Sequence, residues 1–171
     1  MSYNYEFISN LKQIDQDSIE ELDRILLKNA KKSKKVLEIG TYAGYVTLLL
    51  AGHTENVTTI DYDKFVSPSI DDHIRLNSLY CIKSYKGDDL IRMFDYHCDD
   101  SYDIVYVGRP VSVDEVKALA AKKTKNELLI ISYKESGSFD IHKIEPVVET
   151  VKKTTRKTNK AAKTEDVTKS V

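Results

Sequence analysis

Short continuous apolar runs recur along the chain, each stopped by a glycine or an acidic residue. Between them, apolar residues fall at helical spacing. Val36-Leu37-Glu38-Ile39 is the first run and stops at Gly40; its length and its glycine stop predict a buried strand. The β-branched run 57–60 predicts a second strand, ending at Asp61-Tyr62-Asp63. Residues 80–85, closing on Gly87-Asp88-Asp89, predict a third. Residues 102–107 and 127–132 predict a fourth and a fifth. The helices come between. Ser18-Ile19-Glu20-Glu21 fits the pattern in which Ser and Glu reciprocally cap a helix start, and Ile19, Leu22, Ile25 and Leu26 give that helix one apolar face. It is expected to end in the basic cluster 28–35, where cations suit a helix C-terminus. Residues 45–51 predict the next helix. Ser67-Pro68 opens another, with Ile70, Ile74 and Leu76 along it, since proline is tolerated at a first helical position. Residues 90–94 predict a short helix. Ser112-Val113-Asp114-Glu115 repeats the capping pattern ahead of Val116 and Leu119.

Strands thus alternate with helices through five strands. That order predicts parallel pairing with helices on both faces, a doubly wound α/β sheet. Strands that are nearly continuous apolar runs belong to a sheet covered on both sides. Residues 1–14 are polar and aromatic and read as a lead-in. After Tyr133 the pattern weakens, and residues 139–148 supply at most one further strand or helix.

Charge changes the picture at the C-terminus. The formal net charge is −1, but residues 151–171 hold seven Lys or Arg against Glu165 and Asp166. That segment is +5, which leaves −6 for residues 1–150. The asymmetry predicts an α/β body over residues 1–150 and a basic Lys/Thr-rich tail over 151–171. The tail is either a solvated flexible segment or one that orders on a nucleic acid or protein partner. Hydrophobic residues at 41% and charged residues at 31% are ordinary for a soluble domain. No apolar run approaches a membrane span, and Met1-Ser2-Tyr3-Asn4-Tyr5-Glu6 lacks the regions of a signal peptide. Cys81 and Cys98 have no metal-ligand spacing; two free thiols in a reducing cytoplasm are expected.

The candidate chemistry sits at the strand ends, because such sheets bind ligands beyond the carboxyl ends of their strands. The first strand runs into Glu38-Ile39-Gly40-Thr41-Tyr42-Ala43-Gly44. Gly40 lets the backbone turn sharply and approach a ligand, and Gly44 does so at the helix entrance. The helix start offers unpaired N–H groups and a positive dipole end. The spacing is G-x-x-x-G, not the G-x-G-x-x-G of a dinucleotide site, and Tyr42 stands where the second glycine would admit a pyrophosphate. A ligand without phosphates fits better, such as an adenosine bearing methionine. Asp61, 21 residues past Gly40, is placed to accept hydrogen bonds from ribose hydroxyls. Asp88 is placed to accept from an adenine amino group. Each aspartate alone is most simply a cap or a turn; three such stops at successive strand ends form a pattern.

Here the sequence resembles a known family. Residues 36–51, VLEIGTYAGYVTLLLA, are similar to motif I of class I S-adenosylmethionine-dependent methyltransferases, most of all the small-molecule O-methyltransferases of the catechol and caffeoyl-CoA type. Residues 57–63, VTTIDYD, resemble their second motif, and residues 85–94, YKGDDLIRMF, their GDA segment. The resemblance spans about residues 20–133. It implies a Rossmann-like methyltransferase fold and S-adenosylmethionine as cofactor. Glu38 and Gly40 would line the methionine end, with Thr41, Tyr42 and Gly44 shaping the loop. Asp61, beside Tyr62, and Asp88 would hold the nucleoside.

The departures fall on the acceptor side. The family's strand four ends in an Asp-rich segment that supplies a metal ligand; here the stretch is Tyr106-Val107-Gly108-Arg109-Pro110. Its strand five is followed by Asp-Asn; here Ser132-Tyr133-Lys134-Glu135 follows. A divalent cation needs several oxygen ligands, so no metal site is expected. Val46 replaces the family's serine after the loop, and the two closing strands of the fold are reduced to one at most. His53, His73, His97 and His142 are candidate bases, none aimed at the cofactor by the strand pattern. Tyr133, Lys134, Glu135 and Arg109 lie on the correct sheet edge but read equally well as solvated or ion-paired residues.

Three readings follow. One is a metal-independent methyltransferase with an unidentified acceptor, aided by alignment of donor and acceptor. Another is a non-catalytic methyltransferase-like protein used for binding or assembly, as a viral or phage structural or regulatory component, with a protein partner or a second copy completing the C-terminal side. The third is nucleic-acid binding through the tail, with steep salt dependence.

Overall fold

The computed structural model describes residues 14–29, 35–42, 44–62, 81–108, 111–134 and 136–146. The expected helix at Ser67-Pro68, residues 1–13 and the tail lie outside the described residues, as do Ala43, Arg109, Pro110 and Glu135. The elements run α1 (Gln16–Asn29), β1 (Lys35–Ile39), α2 (Tyr45–His53), β2 (Asn56–Tyr62), β3 (Ile82–Gly87), α3 (Leu90–His97), β4 (Ile104–Val107), α4 (Val113–Lys123), β5 (Leu128–Tyr133) and β6 (Phe139–Ile144).

The strands form one sheet in the order β3-β2-β1-β4-β5-β6, parallel except that β6 runs antiparallel to β5. The chain winds outward from β1 to β3, then returns to β4 on the other side of β1. The order therefore reverses between β1 and β4, and ligands of such sheets bind at that crevice. Alternation of side chains across the pleat divides the core in two. Val36, Val57, Ile82, Ile104 and Leu129 face α1 and α2, whose Leu22, Leu26, Leu49 and Leu50 are wholly buried. Leu37, Ile39, Ile60, Val105, Val107 and Ile130 face α3 and α4, through Leu90, Phe94, Val116 and Ala120. The doubly wound sheet expected from the sequence is present, and among the described residues β6 is the one strand that follows β5.

Several boundaries differ from the expected ones. α1 begins at Gln16, and its cap is Asp15 instead of Ser18: Asp15 Oδ1 accepts the Ser18 amide at 2.8 Å. Carboxylates suit that role as well as hydroxyls do. Released from capping, Ser18 Oγ lies 2.6 Å from the Gly137 carbonyl and 3.0 Å from Asp15 Oδ2, which ties α1 to the turn between β5 and β6. Gly137 there has φ +83°, a conformation that side-chain-bearing residues rarely adopt. β2 extends through Tyr62, which places Asp61 inside the strand. β3 starts two residues later than expected and includes Gly87, and β4 omits Tyr102 and Asp103. α2 continues to His53, and Tyr133 is the last residue of β5. The second capping pattern forms as expected, Ser112 Oγ accepting the Glu115 amide at 3.2 Å. Asp89 caps α3 by accepting the Arg92 amide. Both cysteines are free, and burial pushes the Cys98 thiol up to about 11. Among the described residues, no helix is long and apolar enough to cross a membrane.

Replacing the observed cap tests the revised start of α1. Asp15→Ala is expected to lower unfolding stability by about 1 kcal/mol in urea titration, whereas Glu21→Ala leaves it nearly unchanged. Equal losses in the two variants would restore the Ser18-Glu21 capping pattern.

Candidate functional site

The loop after β1 is built from positive-φ residues. Gly40 has φ +107°, Tyr42 +47° and Gly44 +88°. Two are glycines, for which this region costs nothing, and Tyr42 is the only described non-glycine residue that adopts it. The Gly40 amide donates to the Ile60 carbonyl at 2.8 Å, so the β1–β2 ladder continues into the loop. The Gly44 amide donates to the Thr41 carbonyl at 2.7 Å and closes the turn. Gly44 is the N-cap of α2 and offers no side-chain cap, which leaves the helix start without a side-chain acceptor from that position.

Asp61 organises this loop from the next strand. Its Oδ2 accepts the Tyr42 amide at 2.8 Å, and its Oδ1 accepts the Tyr62 amide at 2.7 Å. The residue is fully buried. Thr41 is also buried, its Oγ1 2.5 Å from that of Thr59. Tyr42 is half-buried, and its hydroxyl donates to the Gly108 carbonyl at 3.0 Å, which spans the crevice between β1 and β4. Tyr62 is partly buried; Asp88 is exposed beyond the end of β3. The structure thus brings Glu38, Gly40, Thr41, Tyr42, Gly44, Asp61 and Tyr62 together at the switch point, with Asp88 at the neighbouring strand end.

Glu38 is the least expected group. It lies in the middle of the sheet with no exposure, Oε2 accepting the Thr47 hydroxyl at 2.5 Å and Oε1 without a hydrogen-bond partner. Burial pushes its carboxyl up to about 7, against the lowering effect of the Thr47 and Thr59 hydroxyls. Strand register puts it in a polar row on the α1/α2 face: Ser84 beside Thr59, Thr59 beside Glu38, Glu38 beside Tyr106. The Ser84 hydroxyl is buried without a partner too. Burial holds the Tyr106 phenol well above its usual range, and the nearby Glu38 adds to this. The Tyr106 ring leaves no room for a side chain at Gly108, where a Cβ would stand 2.8 Å from Cε1. Thr47, Thr59 and Tyr106 escape sequence reasoning. For Thr59 and Tyr106 strand parity is the one signal that could have found them, and it requires the register; Thr47 lies on α2 and is brought in by helix packing.

The acceptor-side candidates are dispersed. Lys134 Nζ pairs with Asp140 at 2.7 Å, and Tyr133 stacks on Phe139 with ring centres 5.3 Å apart. His53 bonds Asp23 at 2.7 Å, His97 packs against Tyr85, and His142 stands on β6, so none of the three reaches the loop. His73 lies outside the described residues. No group of three or more His, Cys, Asp or Glu suited to a metal occurs among the described residues.

Glu38 makes stability depend on pH. A carboxyl raised from 4.5 to about 7 favours the protonated folded state, so its contribution is full below pH 4.5 and is lost as pH rises through about 7. The loss is on the order of 3 kcal/mol. Glu38→Gln removes this dependence. Relative to wild type, the variant is expected to gain stability between pH 5 and pH 8 in denaturant titrations; a difference independent of pH would refute the raised carboxyl.

The sequence matches no family model and no curated protein sequence. Solved structures do match. A candidate O-methyltransferase from Klebsiella pneumoniae superposes with TM-score 0.56 at 16% identity, covering 71% of this chain and 57% of its own. The O-methyltransferase TomG of Streptomyces achromogenes, solved with SAM, gives 0.54 at 16%, covering 74% and 69%. The SAH-bound methyltransferase PaMTH1 of Podospora anserina gives 0.56 at 17%, covering 75% and 58%. The chain therefore spans little more than half the length of two of these proteins. At such identities the likeness concerns the fold, and the fold of this chain is the Rossmann-like fold of class I methyltransferases, with the switch-point crevice formed by the loop after β1.

Proposed function

We propose that the chain binds S-adenosylmethionine at the switch point and acts as a metal-independent methyltransferase-like protein. One observation carries the reading: the positive-φ loop Gly40–Gly44 is held by the Asp61 carboxylate at the end of β2. A glycine-lined turn and a carboxylate at the adjacent strand end suit a nucleoside without phosphates. Two of the similar structures carry SAM or SAH, which supports the choice of ligand.

The residues present fit that ligand. Glu38 Oε1 is a buried acceptor without a partner, the type of group that an ammonium satisfies. Asp61 would accept ribose hydroxyls, Asp88 an adenine amino group, and Tyr62 would border the nucleoside. Asp61 already accepts two backbone amides, so the same carboxylate shapes the loop and receives the sugar. When bound, the cofactor supplies an electrophilic methyl group. The protein's part is to align it with an acceptor nucleophile and to exclude water.

A non-catalytic role is the second reading, favoured by the β4 and β5 ends. Gly108 stands where the similar family has a metal ligand, and Lys134 is engaged with Asp140. A borrowed fold used for binding or assembly needs no group at those positions.

Calorimetric titration of the purified protein with S-adenosylmethionine, S-adenosylhomocysteine and NAD tests the cofactor. Micromolar binding of the first two and none of NAD is expected. Asp61→Asn is expected to weaken it at least tenfold while the circular dichroism spectrum stays native. If neither adenosyl compound binds, the switch point is not a cofactor site.

A further inference from the structure

Beyond the switch point, the outer edge of the sheet carries a cluster that the cofactor reading does not use. Tyr85, on β3, and His97, the last residue of α3, lie with ring centroids 4.1 Å apart and planes tilted by 32°. Tyr96 meets His97 edge-on, with centroids 5.0 Å apart. The three rings are contiguous, yet Tyr96 is 83% exposed and Tyr85 39%. Isolated exposed aromatics are common on protein surfaces; a contiguous set is not explained by packing.

Two cations flank the rings. Lys83 precedes Tyr85 by two residues on an extended strand and so shares its side of the sheet. Arg92 precedes Tyr96 by one helical turn on the same face of α3. Both are exposed, and neither side chain forms an ion pair among the described residues. The two acids that flank Tyr96 and His97 along the chain are ion-paired. Asp95 pairs with Lys123 at 2.8 Å and Asp99 with Lys35 at 3.6 Å, while Asp88 and Asp89 lie at the opposite end of β3 and α3 from Tyr96 and His97, Asp89 accepting the Arg92 amide there. The body carries net negative charge, but beside these partly exposed rings stand two exposed cations without an ion pair among the described residues.

We propose that Tyr85, Tyr96 and His97, with Lys83 and Arg92, form a docking surface for single-stranded nucleic acid. Exposed rings accept bases by stacking, which any unpaired base offers, and the flanking cations meet phosphates. The combination selects this occupant. An acidic peptide would use the cations and leave the rings bare, and a proline-rich peptide would do the reverse. A duplex keeps its base faces stacked and offers the rings nothing. The inference does not rest on cofactor binding, since the patch is built from β3 and α3 side chains outside the loop after β1.

Fluorescence anisotropy with labelled single-stranded RNA and DNA of about twelve nucleotides, on the full chain, tests it. Tyr96→Ala is expected to weaken binding about fivefold or more. Tyr96→Phe, which keeps the ring, is expected to stay within about twofold of wild type. Arg92→Ala is expected to flatten the salt dependence by about 0.7 in log–log slope, and duplex of the same length is expected to bind more weakly. Tyr96 is largely exposed, so its variants keep the fold, and a thermal melt verifies this. Affinity unchanged in both Tyr96→Ala and Arg92→Ala would place binding elsewhere, for example in residues 151–171, and overturn the proposal. Equal affinity for duplex, or no binding, would overturn it as well. S-adenosylmethionine titration of the same samples separates failure here from failure of the cofactor site.

Discussion

Everything in this fold depends on β1 being enclosed from all sides. It is hydrogen-bonded to β2 on one edge and to β4 on the other, and helices cover both of its faces. Such a strand has no place for a solvated side chain, which is why Val36, Leu37 and Ile39 are apolar and wholly buried. Glu38 breaks the rule in the middle of the run. The protein answers with a threonine hydroxyl, a raised proton affinity and a row of polar neighbours, and still leaves one oxygen unmatched. A polar group left unpaired in the core costs stability that an apolar residue would not. It stands two residues before Gly40, where the loop after β1 begins. An unsatisfied carboxyl oxygen thus lies just inside the sheet from the loop after β1.

The same enclosure decided what could be read from sequence. β1, β2, β4 and β5 are buried on both faces and announce themselves as continuous apolar runs, so their order and parallel pairing were legible. β3 is an edge strand in which only Ile82 is buried, and its run Ile82-Lys83-Ser84-Tyr85-Lys86-Gly87 carries too little apolar signal to fix its ends. The start of α1 was misread because two capping patterns overlap, and Asp15, outside the Ser-x-x-Glu pattern, took the helix amide. Among the described residues β6 alone follows β5, in the stretch after Tyr133 where the sequence pattern weakens.

The site divides in the same way. Gly40 and Gly44 were legible because glycine at a strand end has few other uses. Asp61 was legible in position but not in its bond to the Tyr42 amide, which is a contact between loop and strand. Tyr106 was invisible as a neighbour of Glu38, because nothing in the sequence says which residue of β4 lies beside which residue of β1. Tyr85 and Tyr96 stand eleven residues apart in the sequence, and only the fold gathers Tyr85, Tyr96 and His97.

The bond from Ser18 to the Gly137 carbonyl joins positions 119 residues apart. Closing so long a loop in an unfolded chain costs entropy that one hydrogen bond does not recover. Once β1, β4 and β5 are aligned, the two groups are already neighbours and the closure costs little. The contact is thus a consequence of sheet assembly and no guide to it: the tie fastens a topology that burial has already chosen, much as a clasp fastens a strap only after it has been wound.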